Sequence, residues 1–238
     1  MSRKHPKAPL STEQLLIVWQ SSSLLLNYPE ESLLGQLDMI EAASHRLPPA
    51  IGGSLRTFVK VLESTPLAQL QSDYVETFDN RRRCNLFLTY FAHGDTRKRG
   101  MALLKFKQTY MRSGFVLDES ELPDHLCVVL EYAATVDQKL GRELMLDHRA
   151  GLELLRLSLR ESASPWFHVI EAITATLPPL RGDEHDAVRR LAAEGPPEEE
   201  VGLAPFATPQ FSPSASGQPG TSDGKTLLPM PSFPGARP

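Results

Sequence analysis

Apolar residues recur three and four positions apart from Leu15 to about Leu191, whereas strict alternation over a strand length is hard to find in the same span. That spacing keeps side chains on one face of a helix, so the body of the chain is expected to be all-α. Its amphipathic helices can bury their stripes only against one another. Punctuation sets the expected boundaries. The first helix runs from a cap at Ser11 or Thr12 to about Leu26, where Asn27-Tyr28-Pro29 stops it. A second begins near Glu30 and ends before Pro48-Pro49, and a third spans Ser54 to Glu63 with Leu55, Phe58, Val59 and Leu62 on one face. Thr65-Pro66 reads as the next start, threonine as cap and proline in the first turn, followed by Leu67, Leu70, Tyr74 and Phe78 at helical spacing.

A short helix is expected from about Asn85 to Phe91, broken by His93-Gly94. Asp95 or Thr96 caps the helix after it, which carries Met101, Leu104 and Met111 and ends at Gly114. Pro123 opens a helix whose stripe of Leu126, Val129, Leu130, Ala133, Val136 and Leu140 marks it as central to the core. Leu144, His148, Leu152, Leu155 and Leu159 form a similar stripe up to Ser162–Pro165. Phe167 to Leu177 continues the pattern until Pro178-Pro179, and a weak last helix covers Asp183 to Ala193.

Ten of the 20 prolines lie from Pro196 onward, among Gly, Ser and scattered acids. A segment so poor in large aliphatic side chains cannot offset the entropy of ordering itself. The expected organisation is a flexible start over residues 1–10, one compact helical domain over 11–194, and a disordered Pro-rich tail over 195–238. Within that tail, Phe206, Phe211 and the Leu227-Leu228-Pro229-Met230 stretch are candidate docking elements. A formal charge of -4 and a pI near 6.0 argue against the basic footprint of a general nucleic-acid binder. Cys84 and Cys127 lack CxxC spacing and read as reduced, packed thiols rather than metal ligands, and no cofactor is expected. The basic start is followed only by the short run Leu15–Trp19, and no stretch approaches the roughly 20 apolar residues of a membrane span. A cytoplasmic location follows as an expectation.

Three segments stand out. In Tyr74-Val75-Glu76-Thr77-Phe78-Asp79, Tyr74 and Phe78 meet on one helical face, either as core aromatics or as the floor of a groove for an apolar peptide. In His93-Gly94-Asp95-Thr96-Arg97-Lys98-Arg99-Gly100, three cations fill a first helical turn against the helix dipole. They suit an acidic partner or a solvated face equally. The third runs from Glu121-Leu122-Pro123-Asp124-His125 to Tyr132, with Asp124 placed either to cap a helix or to face a partner. P-loop, G-x-S-x-G and H-E-x-x-H spacings are missing, and Asp124 and His125 sit about 100° apart on a helix. The chain is therefore not expected to be an enzyme; an enzyme would need a pocket around His93, Asp124 and His125.

Together these segments resemble the delta-subunit (NarJ) chaperones of respiratory nitrate reductase, within the wider TorD-like and DmsD-like redox-enzyme maturation group. The likeness runs from about Leu15 to Leu177 in helix order and is most specific between Tyr74 and Tyr132. It implies a TorD-like helical bundle whose partner is the N-terminal peptide of the catalytic (alpha) subunit of nitrate reductase. That subunit is held open for molybdenum cofactor insertion and kept from docking early onto its membrane anchor. Contact with cofactor-delivery proteins is transient, and the chaperone is a monomer that neither keeps a cofactor nor enters the membrane. The residues implied for the client peptide are Asp124, His125, Glu121 and Tyr74, joined by Phe78, Arg97 and Arg99 from the patterns above. Glu30, Glu31, Asp38 and Glu41 offer attraction to a basic client segment. The competing reading is a generic helical adaptor that recruits partners through its Pro-rich tail, which predicts loss of function on truncation after Glu194.

Overall fold

The computed structural model describes residues 9–118 and 121–197, so the expectations for residues 1–8 and for 198–238 fall outside the described residues. Among the described residues twelve α-helices follow one another: α1 (Thr12–Leu25), α2 (Glu31–Leu34), α3 (Leu37–Ser44), α4 (Pro49–Ser64), α5 (Leu67–Tyr74), α6 (Tyr90–His93), α7 (Arg97–Arg112), α8 (Leu126–Thr135), α9 (Gln138–Asp147), α10 (Arg149–Glu161), α11 (Phe167–Thr174) and α12 (Gly182–Glu194). A π-helical turn, Val75–Asp79, prolongs α5, and a 3-10 turn covers Arg82–Cys84. The described residues contain no strand, only an isolated antiparallel bridge between Phe87 and His125.

Local chemistry explains the ends. Ser11 caps α1 through a capping box with Gln14, each side chain taking up the other's backbone N–H. Gly114 follows α7 at φ +73, as its position at a helix end requires. The second expected helix is instead two, α2 and α3, parted at Gly35-Gln36. The third starts earlier than Ser54, because Pro49 occupies the first helical position, where its missing N–H costs nothing. Thr65 does not cap α5. A residue before proline is driven to extended backbone, and Thr65 at ψ 130 leaves the cap position to Pro66. Thr96 takes the cap position of α7 without a side-chain bond, while Asp95 turns to Arg99.

The two largest departures are linked. The expected helix over Asn85–Phe91 is instead non-helical through Phe87, turns at Leu88-Thr89 and is helical only from Tyr90, and the helix expected to open at Pro123 begins only at Leu126. Both segments give their backbone groups to each other: Leu88 N–H donates to the Asp124 carbonyl at 3.0 Å and Leu126 N–H to the Leu86 carbonyl at 2.9 Å. The long stripe to Leu140 also breaks, at Val136-Asp137, where the Asp137 carboxylate accepts the Leu140 N–H at 2.8 Å and starts α9. His148 makes a similar break between α9 and α10.

The core is built around α1 and α8. α1 packs on α8, α11 and α3, while α4 closes against α3 and α11, and α10 joins α11, α9 and α12. Ser21, Ser22 and Ser23 are all buried, so α1 is covered on nearly every side. Their small side chains let neighbouring helices come close. Trp19 is fully buried, and its ring N–H donates to the Thr176 hydroxyl at 3.0 Å, tying the start of the chain to the turn after α11.

Candidate functional site

The bridge between the 85–89 segment and Pro123–Leu126 makes a corner, and the side chains at that corner are tied together by one carboxylate. Asp124 has 0 % exposure. It accepts the Thr89 N–H at 3.1 Å and the Thr89 hydroxyl, and the Arg99 guanidinium stands 3.6 Å from the same oxygen. Arg99 completes the set by donating from Nε to the Thr89 hydroxyl oxygen at 3.2 Å and from Nη1 to Asp95 at 3.1 Å. Its guanidinium lies 5.3 Å from the Phe87 ring centre and 5.9 Å from that of Tyr90, at cation–π range. A buried charge needs a partner and hydrogen bonds; Asp124 Oδ2 has both, while its Oδ1 is buried without a hydrogen bond among the described residues. Asp124 therefore does not act as a cap for α8, the role its place in the sequence suggested; that position belongs to His125.

Around this network the backbone is pinned by aromatic groups. The Tyr110 hydroxyl donates to the Pro123 carbonyl at 2.6 Å, and burial pushes its ionisation far above the ordinary range, with Asp124 and Tyr132 adding to it. Tyr110 packs on Tyr132 at 4.6 Å and on Phe115 at 5.6 Å between ring centres. His125 stacks edge-on against Phe87 at 5.0 Å, and His148 meets Phe106 at 5.1 Å with Nδ1 2.9 Å from the Leu144 carbonyl.

Tyr74 and Phe78 lie elsewhere, in an aromatic box. Their rings are 4.7 Å apart and both face Trp166, at 5.8 and 5.4 Å, with Phe58 on its other side at 5.7 Å. The Tyr74 hydroxyl donates to the Leu26 carbonyl at 3.0 Å, and Tyr28 stacks on Tyr74 at 5.5 Å. Burial raises the Tyr74 ionisation well above its usual value, with Cys127 and Asp79 contributing. Cys127, in the first turn of α8, is buried, and its thiol is raised likewise, by burial first and then by Glu121.

The sequence candidates thus fall into two sets. Asp124, His125 and Arg99 converge at the corner, Glu121 is exposed beside it, and Arg97 is exposed at the start of α7. Tyr74 and Phe78 are buried in the box. Thr89, Phe87, Tyr90 and Tyr110 complete the corner and were not legible as site residues. One signal was available: Thr89 is a lone polar residue inside the apolar run Leu86–Phe91, where a buried hydroxyl needs a partner. Among the described residues, two of the surface clefts stand out. One of about 250 Å³ lies over Leu24, Asn27, Tyr28, Glu30, Leu33 and Gln36, with Tyr28 joining it to the aromatic box. The other, about 420 Å³, is lined by Arg81, Arg82, Arg83, Ser158, Glu161 and Ser162. Neither includes His93, Asp124 or His125, around which an enzyme pocket was to be sought.

Two half-buried histidines are expected to give the fold a pH dependence. His125 and His148 are both lowered from 6.5, chiefly by burial, with Asp124 opposing the shift in each case. Between the lowered folded value and 6.5 the unfolded chain binds more protons, so stability rises with pH there. The contribution is complete above the unfolded value and is lost as pH falls below it. Thermal unfolding of the wild type between pH 7.5 and 5.5 is expected to show a falling midpoint, with a shallower fall in His148→Gln. An unchanged slope in that variant overturns the assignment.

The model of the family described as nitrate reductase delta subunit matches residues 44–171, a span that holds both the corner and the box. The chain is 41 % identical over 160 residues to the nitrate reductase-like protein NarX of Mycobacterium tuberculosis (strain H37Rv), covering 67 % of this chain and 24 % of that protein. It therefore spans about a quarter of the length of that relative. It is 31 % identical over 172 residues to the probable nitrate reductase molybdenum cofactor assembly chaperone NarJ of Bacillus subtilis (strain 168), covering 71 % of this chain and 92 % of that one. Among solved structures, a protein of Archaeoglobus fulgidus provisionally described as a redox enzyme maturation protein superposes with a TM-score of 0.50 at 23 % identity, covering 73 % of this chain and 98 % of that chain. The shared element is the fold.

Proposed function

Because the chain belongs to the nitrate reductase delta subunit family, we propose that it is a system-specific maturation chaperone for the catalytic subunit of a nitrate reductase and not an enzyme. The observation that carries the proposal is the family match over residues 44–171, which contains every residue of the corner. In this reading the chaperone binds the N-terminal region of the catalytic subunit as an amphipathic helix laid into an apolar groove. It holds that subunit until molybdenum cofactor is inserted, and releases it before membrane docking. It acts as a cytoplasmic monomer, with the helical domain over 11–194 as the binding unit.

In this reading the candidate residues divide the work. Glu121, His125 and Arg97 reach solvent and contact the client, whereas Asp124 and Arg99 hold the corner from within, and Tyr74 and Phe78 shape the wall under Tyr28. Titration of the client's N-terminal peptide into the full chain by calorimetry tests this. Binding at micromolar concentration is expected, and Glu121→Lys should weaken it about tenfold, in line with about 1.4 kcal/mol for a reversed rim charge. A folded wild-type protein that takes up no peptide overturns the chaperone reading. A chain ended after Glu194 is expected to bind as the full chain does; loss of binding favours the adaptor.

A further inference from the structure

Beyond Arg97 at its start, the outward face of α7 has been given no role. Its inward face is set by Arg99, Leu103, Phe106 and Tyr110, of which Phe106 and Tyr110 are fully buried. Its outward face is unusual for a surface helix. Met101 and Met111 are 71 % and 72 % exposed, and Leu104 is 44 % exposed. At 100° per residue these three fall within about 80° of arc, forming one stripe along about 15 Å of helix. Lys98, Lys105 and Arg112 run beside the stripe, within about 60° of Met101 on its other side. The 16 residues of α7 include six Lys or Arg and no Asp or Glu, in a chain whose formal charge is -4. Val116, just beyond the helix, is 86 % exposed.

We propose that this face of α7 rests on an anionic lipid surface, with the methionine and leucine side chains entering the headgroup boundary and the cations lying against lipid phosphates. An apolar stripe flanked by Lys and Arg is the pattern of helices that lie in a membrane interface. Charge favours an anionic surface: α7 carries six cations and no acid, and neither cleft described above takes a residue from it. No described helix is long and apolar enough to cross a membrane, so the contact is peripheral. Among the cations, Lys105 also reaches Asp147 at 2.7 Å, while Lys98, Lys107 and Arg112 are exposed.

The inference needs no client and is tested without one. The full chain is sedimented with vesicles of phosphatidylglycerol and phosphatidylcholine, and with phosphatidylcholine alone, at low and high salt. Co-sedimentation is expected only with the anionic vesicles and should weaken as salt rises. Lys98→Gln with Arg112→Gln should reduce partitioning about 30-fold, taking roughly one cation's attraction per residue removed. Met101→Asp with Met111→Asp should abolish it, while thermal unfolding of both double variants stays at the wild-type midpoint because the four side chains are exposed. Absence of sedimentation with anionic vesicles, equal sedimentation with neutral ones, or wild-type partitioning in the double variants each overturns the proposal. Loss of client-peptide binding in the methionine variant, with no vesicle binding by the wild type, assigns the face to a protein partner instead. Retained peptide binding in that variant separates this test from that of the chaperone reading.

Discussion

Asp124→Ala is expected to lower the stability of the fold by about 3 kcal/mol, measured by urea unfolding. The loss has two parts. The Thr89 N–H, buried at 0 % exposure, loses its acceptor, and the Arg99 guanidinium loses the partner on its buried side while keeping Asp95 on the other. For a chain of this size the midpoint of thermal unfolding should fall by roughly 6–12 °C. Asp124→Asn offers an acceptor to Thr89 without the charge, so it should recover part of the loss. Arg99→Ala leaves a buried carboxylate served by Thr89 alone and should cost about as much as Asp124→Ala. The double variant should then cost clearly less than the sum, since the two residues share one network. Strict additivity, or a loss below about 1 kcal/mol for Asp124→Ala, means that the network does not hold the corner.

Trp166→Ala is expected to cost about 4 kcal/mol, within the usual span for removing a buried tryptophan ring. Trp166 is 1 % exposed and is the shared neighbour of Phe58, Tyr74 and Phe78, so its removal opens a cavity lined by three rings. Filling that cavity would require Tyr74 to leave its bond to the Leu26 carbonyl, which makes collapse costly. Denaturant unfolding checks the value, and a loss under about 2 kcal/mol shows that the box repacks. The consequence for function is practical. Large substitutions at Tyr74 or Phe78 will unsettle the fold, so a client-binding role for them is better probed from Tyr28, which lines the neighbouring cleft and is 44 % exposed.

What the sequence disclosed of this fold depends on how local the deciding interaction is. The capping of α1 by Ser11, the stop at Gly114 and the last helix after Arg181 depend on residues a turn apart, and all were legible. The extended run through Phe87 was not, because its backbone partners lie beyond α7, at Asp124 and Leu126. Taken alone, Leu86–Phe91 is apolar enough for either a helix or a strand-like segment, and only a remote segment decides. The same pairing delays the start of α8 from Pro123 to Leu126 and turns Asp124 inward. Asp124 was named because the family resemblance implied it. Its burial, and the role of Thr89 as relay to Arg99, depend on contacts between residues 35 positions apart that no local spacing reveals.

The central place of α1 has a consequence during synthesis. Trp19 is bound to Thr176, 157 residues later, and the helix it belongs to is enclosed by α8 and α11. At about 5–20 residues per second, a ribosome emits that interval in roughly 8–30 seconds. Through that time α1 has none of its late partners, and the side chains that α11 covers stay uncovered by it. The closing of this core therefore waits on the synthesis of α11.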